Sequence, residues 1–300
     1  MAGRATAEER VMEIRKTVIP AAGFGTRMLP AAKAVPKEML PVLDKPTIQY
    51  VVEEAAEAGI NDALLITSRE KRALEDHFDR AGELEDRLAA AGKYDLLTAL
   101  RAVTAGVRVH AVRQGEQKGL GHAVLQARDH VGQEAFLCQL GDAIFSGGIG
   151  PAEQLVRAYE KFGTAVIGLE EVPVEKVERY GIVGGEMVAE GVIRIETLVE
   201  KPSRESAPSR LAIAARYVLT PYVFECLEKT QPGKGGEIQL TDAIKMMLGK
   251  ERVHGVVLKA RRHDIGNPVD WLKTNLIFAR REPEMWRQIE PLVRSLMSNE

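Results

Sequence analysis

The sequence contains little cysteine and almost no excess charge. Its two cysteines, Cys138 and Cys226, both lie inside apolar runs. Two thiols are too few for a disulfide framework or a four-thiolate zinc site, so we expect both to be buried and reduced. The 41 Lys and Arg residues against 43 Asp and Glu residues leave a net charge of −2. Proteins that bind nucleic acid or anionic membranes usually carry a basic excess, so neither partner is expected.

Long hydrophobic runs are also missing. No stretch reaches the roughly 18 consecutive apolar residues of a transmembrane helix. The first residues, MAGRATAEERVMEIRK, alternate in charge and lack the apolar core of a secretory signal. We therefore expect a cytoplasmic protein, with residues 1–15 forming an N-terminal arm.

What the first half does contain is an alternation of short apolar runs with longer segments of helical period. The runs are 17–20, 63–67, 107–112 and 135–140, and the helical segments are 47–58, 69–78 and 119–130. Residues 82–105 add two amphipathic stretches that are separated at Gly92. This rhythm predicts an α/β fold with a parallel sheet covered on both faces.

The second half predicts a more mixed pattern. Strands are expected at 166–169, 181–183, 192–200, 211–219 and 253–259, and helices at 221–229, 238–248 and from 268 onward. The sequence shows no internal repeat, low-complexity segment or linker. We therefore expect one domain over residues 16–300, with a helical insertion at 82–105 and a helical stretch at 268–300.

A glycine-rich loop follows the first strand. Gly23 and Gly25 allow backbone N–H groups to approach a phosphate or a base, although a tight turn would explain them equally well. The loop is not a P-loop, and Met28 stands where a dinucleotide fingerprint needs its third glycine. Two cations, Arg27 and Lys37, frame the loop and favour a polyphosphate ligand.

A second glycine-rich loop, RQGEQKGLGH at residues 113–122, also follows a strand and begins a helix. Gln114 offers a donor and acceptors that match the imide edge of a pyrimidine such as uracil. Gly119 and Gly121 permit backbone contact with a ligand. A polar loop at the start of a helix is the alternative interpretation.

Two aspartates follow apolar strands. Asp142 ends the run FLCQLGD, and Asp264 lies in RHDIGN. Either one alone is explained as a turn residue or a helix cap. Beside the two loops and the two cations, they favour a magnesium–nucleotide site, since Mg²⁺ takes one or two carboxylates and completes its shell with water and phosphate. Glu200 and Lys201 lie at the end of another strand. They are interpreted either as ligands of a sugar and a phosphate or as two exposed charges.

Seven segments occur in an order that resembles the sugar-phosphate nucleotidylyltransferase family over about residues 16–275. They are AAGFGTRMLPAAKAVPKEMLPVLDKPTIQYVVEEA, VRQGEQKGLGHAV, LGDAIF, RYGIV, VEKP, GEIQLTDAI and HDIGNP. PKEMLP together with RQGEQKGLGHA resembles the uridylyltransferase branch. The resemblance implies a Rossmann-like mixed, mainly parallel sheet flanked by helices, of the nucleotide-diphospho-sugar transferase type. It also implies Mg²⁺-dependent transfer of UMP from UTP to glucose 1-phosphate, which gives UDP-glucose and diphosphate.

The resemblance also implies roles for single residues. Arg27 and Lys37 would bind the UTP phosphates, Asp142 would bind the metal, and Asp264 would be a second metal ligand by analogy with thymidylyltransferases. Lys201 would bind the phosphate of glucose 1-phosphate, beside Gly181 and Glu200. The uracil would lie among Ala21, Ala22, Gly23, Gln114 and Gly119, with Glu38 nearby. Gly25 is a further substrate-binding candidate. A homodimer or homotetramer is implied. The apolar faces in 82–105 and on the C-terminal helix are candidate interfaces, and packing within the monomer is an equally good interpretation of both.

Three positions depart from the family pattern. They are Ala32, Ala143 and the pair Asp270–Trp271. None of them removes a charge that the reaction needs. Two alternatives to the uridylyltransferase activity stay open at this point. One is an enzyme for another nucleotide, such as dTTP, or another sugar phosphate; the other is a catalytically silent regulatory protein that binds a sugar nucleotide.

Overall fold

The computed structural model describes residues 13–104 and 106–298. Residues 1–12 of the expected N-terminal arm lie outside the described residues. The strands are β1 (Lys16–Pro20), β2 (Pro41–Val42), β3 (Lys45–Pro46), β4 (Asp62–Thr67), β5 (Arg108–Arg113), β6 (Phe136–Gln139), β7 (Ala143–Ser146), β8 (Ala165–Glu171), β9 (Gly181–Ala189), β10 (Val192–Glu200), β11 (Leu211–Leu219), β12 (Val253–Val257) and β13 (Arg261–Asp264). The α-helices are α1 (Thr47–Glu57), α2 (Arg72–Phe78), α3 (Gly82–Ala90), α4 (Tyr94–Ala102), α5 (Leu120–Leu125), α6 (Arg128–Val131), α7 (Pro151–Phe162), α8 (Tyr222–Lys229), α9 (Leu240–Met247), α10 (Pro268–Ala279) and α11 (Pro283–Ser298).

Nine strands form one mixed sheet in the order β5-β4-β1-β6-β11-β8-β12-β10-β9. The neighbours from β5 to β6 are parallel, as are β8 and β12. Strand β11 runs antiparallel to β6 and β8, and β10 runs antiparallel to β9 and β12. The mixed sheet is confirmed, but parallel pairing predominates only in the N-terminal half. The short β9–β10 connection permits only an antiparallel pair.

The central strands are buried because helices cover both faces of the sheet. In β1 and β4 the residues Val18, Ile19, Leu64 and Leu65 are all fully buried. Such continuous apolar runs are typical of parallel strands that are covered on both sides. Helices α5, α8 and α9 pack on one face, and α1 and α7 pack toward the other. The loops after β1, β4 and β5, and the turn after β6, therefore emerge at one edge of the sheet.

Besides the two-residue strands β2 and β3, the structure adds three elements to those predicted and divides one. Helix α7 was not predicted, nor were β7 and β13, which pair as a separate two-stranded sheet. The helix expected at 119–130 is two short helices, α5 and α6. The two helices expected at 82–105 are confirmed as α3 and α4, with Gly92 at a φ of 67° between them.

The structure also bears on the expectations for the two cysteines and for membrane-spanning helices. Cys138 and Cys226 are both buried and unpaired, which confirms the prediction for the thiols. No helix in residues 13–104 or 106–298 has the length and apolar character needed to cross a membrane.

Candidate active site

A cavity of about 480 Å³ lies at the edge of the sheet where the parallel strands end. Its wall includes nine of the residues that the sequence singled out, namely Ala21, Ala22, Gly23, Gly25, Lys37, Glu38, Gln114, Gly119 and Asp142. They come from the segment after β1, the loop after β5 and the turn after β6. Parallel strands whose carboxyl ends meet at one edge bring these separate segments together.

Four charged side chains of alternating sign form a connected row at the cavity: Glu38, Lys37 and Asp142 line its wall, and Lys71 lies behind Glu38. The Lys71 ammonium lies 2.7 Å from a Glu38 oxygen, and the Lys37 ammonium lies 2.5 Å from an Asp142 oxygen. Lys37 is also 4.0 Å from the other oxygen of Glu38, which links the two pairs. Lys71 and Glu38 are buried, whereas the Lys37 and Asp142 side chains remain 15% and 22% exposed. The outer pair is therefore the one that a ligand can reach.

The pKa values of the outer pair favour the charged forms. Burial alone would lower the pKa of Lys37, but the carboxylates of Asp142 and Glu38 outweigh it and raise that pKa above its ordinary value. Burial alone would raise the pKa of Asp142, but the Lys37 ammonium holds it below the ordinary range. Both groups are therefore charged at neutral pH.

In the inner pair, burial determines the direction in which each pKa is shifted. It raises the pKa of Glu38, and the nearby ammonium groups offset this only in part. It also lowers the pKa of Lys71, despite the contact with Glu38. The inner pair is therefore a buried support for the outer one rather than a source of free charge.

The amide of Gln114 has a fixed orientation. Its nitrogen lies 3.2 Å from the carbonyl oxygen of Gly119 and 2.8 Å from Nδ1 of His122. Because a carbonyl oxygen can only accept, the NH₂ group must face Gly119, and Nδ1 of His122 then accepts the second hydrogen bond. The carbonyl oxygen of buried Gln114 is left as an acceptor on the cavity side. This arrangement can recognise a ligand N–H group.

Gly119 allows a close approach of two chain segments. Its φ is 93°, and a Cβ placed there would lie 2.8 Å from Cβ of Glu237 and 2.9 Å from the Ile238 carbonyl oxygen. The Ile238 N–H donates to Lys118, and Ile238 accepts from the N–H of Gly121. The segment around Glu237 is thereby fixed against the second glycine-rich loop, and Glu237 lines the cavity.

Asp264 lies next to the turn that carries Asp142. Strand β13 pairs with β7 so that Asp264 is opposite Ala143, and the Ile265 N–H donates to the Asp142 carbonyl at 2.9 Å. A Cβ on Gly266 would lie 2.8 Å from an Asp264 oxygen and 2.7 Å from a guanidinium nitrogen of Arg27. The structure therefore brings Arg27 and Asp264 together beside the Asp142 turn, although neither lines the cavity.

The donor set fits a magnesium ion that arrives with a nucleotide. Within the residues that the structure describes, no group of three or more His, Cys, Asp or Glu side chains is placed to hold a metal. Asp142 and Asp264 are thus two carboxylates without a protein cage. Mg²⁺ is commonly bound by one or two carboxylates together with substrate phosphates and water, so these residues fit it.

Gly181, Glu200 and Lys201 form a second group away from the wall of this cavity. Gly181 is opposite Glu200 in the β9–β10 pair, and a Cβ on Gly181 would lie 3.2 Å from a Glu200 oxygen. The Lys201 ammonium lies 2.9 Å from Glu200 on a side chain that is 58% exposed. Lys201 has a φ of 46°, a conformation that costs energy outside glycine and that often occurs at functional sites.

Two residues at the site, Lys71 and Glu237, were not predicted from the sequence. Lys71 follows β4, so its place just beyond the carboxyl end of a parallel strand was a signal that could have identified it. Glu237 belongs to the segment GEIQLTDAI, which carries part of the family resemblance. Its approach to Gly119 joins positions more than a hundred residues apart, which no local pattern indicates.

Comparisons with known proteins identify the family of this chain. The family model described as nucleotidyl transferase matches residues 16–280. The UTP–glucose-1-phosphate uridylyltransferase of Bacillus subtilis (strain 168) is 46% identical over 289 residues, which cover 96% of this chain and 99% of the relative. A protein of the same name from Staphylococcus epidermidis is 46% identical over 284 residues, which cover 95% of this chain and 99% of the relative.

Two solved structures are similar over nearly their whole length. A UTP-bound UGPase from Acinetobacter baumannii has a TM-score of 0.87 and 38% identity, covering 94% of this chain and 99% of that one. A UDP-glucose pyrophosphorylase complexed with UDP-glucose has a TM-score of 0.82 and 40% identity, covering 89% and 99%. With the family model matching most of its length, this chain belongs to the nucleotidyl transferase family and groups there with the UTP–glucose-1-phosphate uridylyltransferases.

Proposed function

We propose that this protein transfers UMP from UTP to α-D-glucose 1-phosphate, giving UDP-glucose and diphosphate. The observation that carries the proposal is the convergence of Gln114, Lys37 and Asp142 on one cavity. One residue suits the base, one suits the phosphates and one suits a metal. Two relatives that are named for this activity are 46% identical to this protein over almost the entire chain.

Gln114 and the two glycine-rich loops would bind the uracil. The carbonyl oxygen of Gln114 would accept the N3–H of uracil, since its NH₂ group is held by Gly119 and His122. Cytosine has no hydrogen at N3 and would leave that oxygen unpaired, which costs about 1–3 kcal/mol for a buried acceptor. Backbone groups of Ala21, Ala22 and Gly23 would contact the base from the other side.

Lys37 and Arg27 would bind the phosphates of UTP. Asp142, with Asp264 beside it, would hold Mg²⁺, which neutralises charge on the phosphates when it is bound. The Lys37 ammonium would then exchange Asp142 for a phosphate oxygen. No large movement is needed, since both groups already line the cavity.

Glu200, Lys201 and Gly181 would bind glucose 1-phosphate. Lys201 would hold its phosphate, and Glu200 would accept hydrogen bonds from sugar hydroxyls. A phosphate oxygen of the sugar would attack the α-phosphorus of UTP in line with the departing diphosphate. That oxygen is already an anion, so catalysis requires positioning and charge neutralisation rather than a general base.

We also propose the wider setting in which the site works. Residues 16–300 would form one nucleotidylyltransferase domain in a cytoplasmic homodimer or homotetramer. Support for the assembly comes from apolar side chains that are exposed on α4, α10 and α11 and have no cover in the described chain, namely Tyr94, Leu96, Val269, Leu272, Leu292, Leu296 and Met297. Exposed apolar patches of this kind commonly mark contacts between subunits.

A substrate panel tests the proposal. Purified protein is supplied with UTP, dTTP, CTP or ATP and with glucose 1-phosphate or N-acetylglucosamine 1-phosphate, with Mg²⁺ or with a chelator, and diphosphate release is measured. We expect UTP with glucose 1-phosphate to be the fastest pair and the chelator to abolish turnover. Faster turnover with dTTP would overturn the uridylyl assignment, and no release with any pair would favour a silent binding protein.

A further inference from the structure

Arg216 is a fully buried charge in the core of the sheet. Its guanidinium makes two parallel hydrogen bonds to Glu54, with Nε to Oε1 at 2.9 Å and Nη2 to Oε2 at 2.7 Å. A buried pair of this kind is a poor stabilising device, because removing both charges from water costs several kcal/mol and apolar side chains of similar volume often serve as well. The pair therefore calls for another explanation.

The remaining hydrogen bonds of Arg216 reach the backbone on both sides of Asp142. Nη2 donates to the Ala143 carbonyl at 2.9 Å, and Nη1 makes a longer contact of 3.4 Å with the Leu140 carbonyl. The Ala143 N–H also points to the Leu140 carbonyl, so residues 140–143 close a tight turn with Asp142 inside it. The guanidinium thus joins the first and last residues of that turn.

Strand β11 is distorted where it presents this side chain. Ala215 has a φ of 59°, and the register between β11 and β8 shifts between Ile213 and Tyr217. A non-glycine residue in this conformation costs about 1–3 kcal/mol and often occurs at functional sites. The Ala215 carbonyl accepts from the Leu140 N–H at 3.1 Å and from Arg216 Nη1 at 3.0 Å. The bulge therefore supplies two supports to the same turn.

Further contacts tie the pair to the surrounding elements. Oε1 of Glu54 also accepts from the Ala152 N–H at the start of α7, at 3.0 Å. The guanidinium carbon of Arg216 lies 4.7 Å from the ring centre of Phe145 in β7. Strand β7 in turn pairs with β13, which ends at Asp264. The pair is therefore built into the elements that flank the Asp142 turn.

We propose that Arg216, held by Glu54, is a positioning residue that fixes the turn of residues 140–143 and so directs the Asp142 carboxylate toward the bound metal. Arg216 touches neither substrate nor metal and acts through Asp142 alone. The inference rests on the metal-binding role of Asp142 in the proposed function. It explains why an arginine, rather than an apolar residue, occupies this place in the core.

Two variants test the role without leaving a lone buried charge. The double variant Glu54→Leu/Arg216→Met removes both charges and keeps most of the volume. Arg216→Lys keeps the charge but loses the planar fork that reaches Glu54 and two carbonyls together. Circular dichroism and thermal unfolding establish that each variant is folded. Binding of Mn²⁺ to the protein with UDP-glucose is then measured by electron paramagnetic resonance, which requires no turnover.

We expect the Kd for Mn²⁺ to rise by about 10- to 100-fold, the range found when groups behind a metal ligand are removed. The kcat should fall by up to about 100-fold, while the KM for UTP changes by less than about threefold. Arg101→Lys is the control for the substitution itself, because Arg101 also bonds a buried glutamate, Glu85, but through Nε alone and from a side chain that is 59% exposed. It should leave all three constants unchanged.

The outcomes separate this inference from the proposed function. If the wild-type protein binds no UDP-glucose, the proposed function fails. If the wild-type protein binds it and folded Arg216→Lys has unchanged Mn²⁺ affinity, the positioning role is overturned, whether or not the double variant folds. Combining Arg216→Lys with Asp142→Asn adds a second criterion. The effects on kcat should not add, because Arg216 acts through the missing carboxylate, and full additivity would contradict the inference.

Discussion

The ammonium of Lys37 lies 2.5 Å from the carboxylate of Asp142, although 105 positions separate the two residues in the chain. One belongs to the segment after the first strand, and the other to the turn after β6. The two charges neutralise each other, so in the proposed function the phosphates of UTP and the cation would each take one member of this pair as a new partner. The proposed phosphate and metal contacts both depend on this pair.

Asp142→Asn should reduce kcat by about 10² to 10³, the usual cost of removing one electrostatic stabiliser. The amide keeps the size of the side chain but cannot anchor Mg²⁺, whereas the contacts to uracil come from other residues. UTP binding without metal, measured by calorimetry, should therefore change little. Asp129→Asn, which alters an exposed residue of α6, is the control. Near-normal turnover of Asp142→Asn at ordinary Mg²⁺ would make Asp264 the leading metal ligand instead.

Gln114→Ala should weaken UTP binding by about 10- to 100-fold, since a buried hydrogen bond to the base is lost. The preference for UTP over CTP should shrink at the same time, because the fixed acceptor for N3–H is gone. Steady-state kinetics with both nucleotides measure the two effects. Gln133→Ala, at an exposed position, should change neither. A variant at position 114 that still rejects CTP as strongly as the wild type would refute the role of Gln114.

Gly119→Ala should be more damaging than Gly132→Ala. Both glycines have positive φ, 93° and 66°, so the backbone strain costs about 1–3 kcal/mol in either variant. Only at Gly119 does the new methyl group meet other atoms, those of Glu237 and Ile238, whereas nothing lies within 4 Å at Gly132. We expect Gly119→Ala to lose about 1–3 kcal/mol more in urea unfolding and to bind UTP more weakly. Equal losses would mean that the close approach has no consequence.

His254 should make stability depend on pH. Burial lowers its pKa, with smaller contributions from Arg252 and Arg194, so the folded state favours the neutral ring. The unfolded chain binds the proton near pH 6.5, so stability is fully present above about that pH and is lost as the pH falls. The Tm of the wild type should therefore drop more steeply between about pH 7.5 and about pH 5 than that of His254→Gln. Parallel Tm curves would show that His254 titrates normally in the fold.

Charges on the exposed apolar face of α11 should disrupt the proposed assembly. Leu292→Glu/Leu296→Glu places two carboxylates where we expect a second subunit, and light scattering should then show a 33.0 kDa species. Ser295→Glu, on the same helix, adds charge outside the apolar strip and should leave the assembly intact. A wild-type protein that is already monomeric at micromolar concentration would refute the assembly itself.

The sequence predicted the parts of the fold that are governed by local pattern. The continuous apolar runs of β1, β4 and β11 and the amphipathic pair α3 and α4 are all found where they were expected. Helix α7 carries a clear apolar face and a proline at its first turn, so its signal was present and was overlooked. Strands β7 and β13 gave no such signal, because four-residue strands form here only through pairing between residues far apart in the chain.

The site was predictable to the extent that loops after parallel strands share one edge. The sequence therefore predicted a common site for Gln114, Lys37 and Asp142. It did not reveal that Lys37 pairs with Asp142, nor that Lys71 supports Glu38, because both contacts depend on how separate segments pack. The role of Arg216 was not predicted either. It lies in a nearly continuous apolar run of β11, and its contacts also depend on how separate segments pack.

The proposed reaction forms UDP-glucose and diphosphate from UTP and glucose 1-phosphate. Phosphorus NMR of the purified protein with UTP, glucose 1-phosphate and Mg²⁺ tests it most directly. We expect the resonances of UDP-glucose and diphosphate to grow in equal amounts while those of both substrates decline. Growth of inorganic phosphate in their place, or unchanged substrate spectra at high protein concentration, would contradict it.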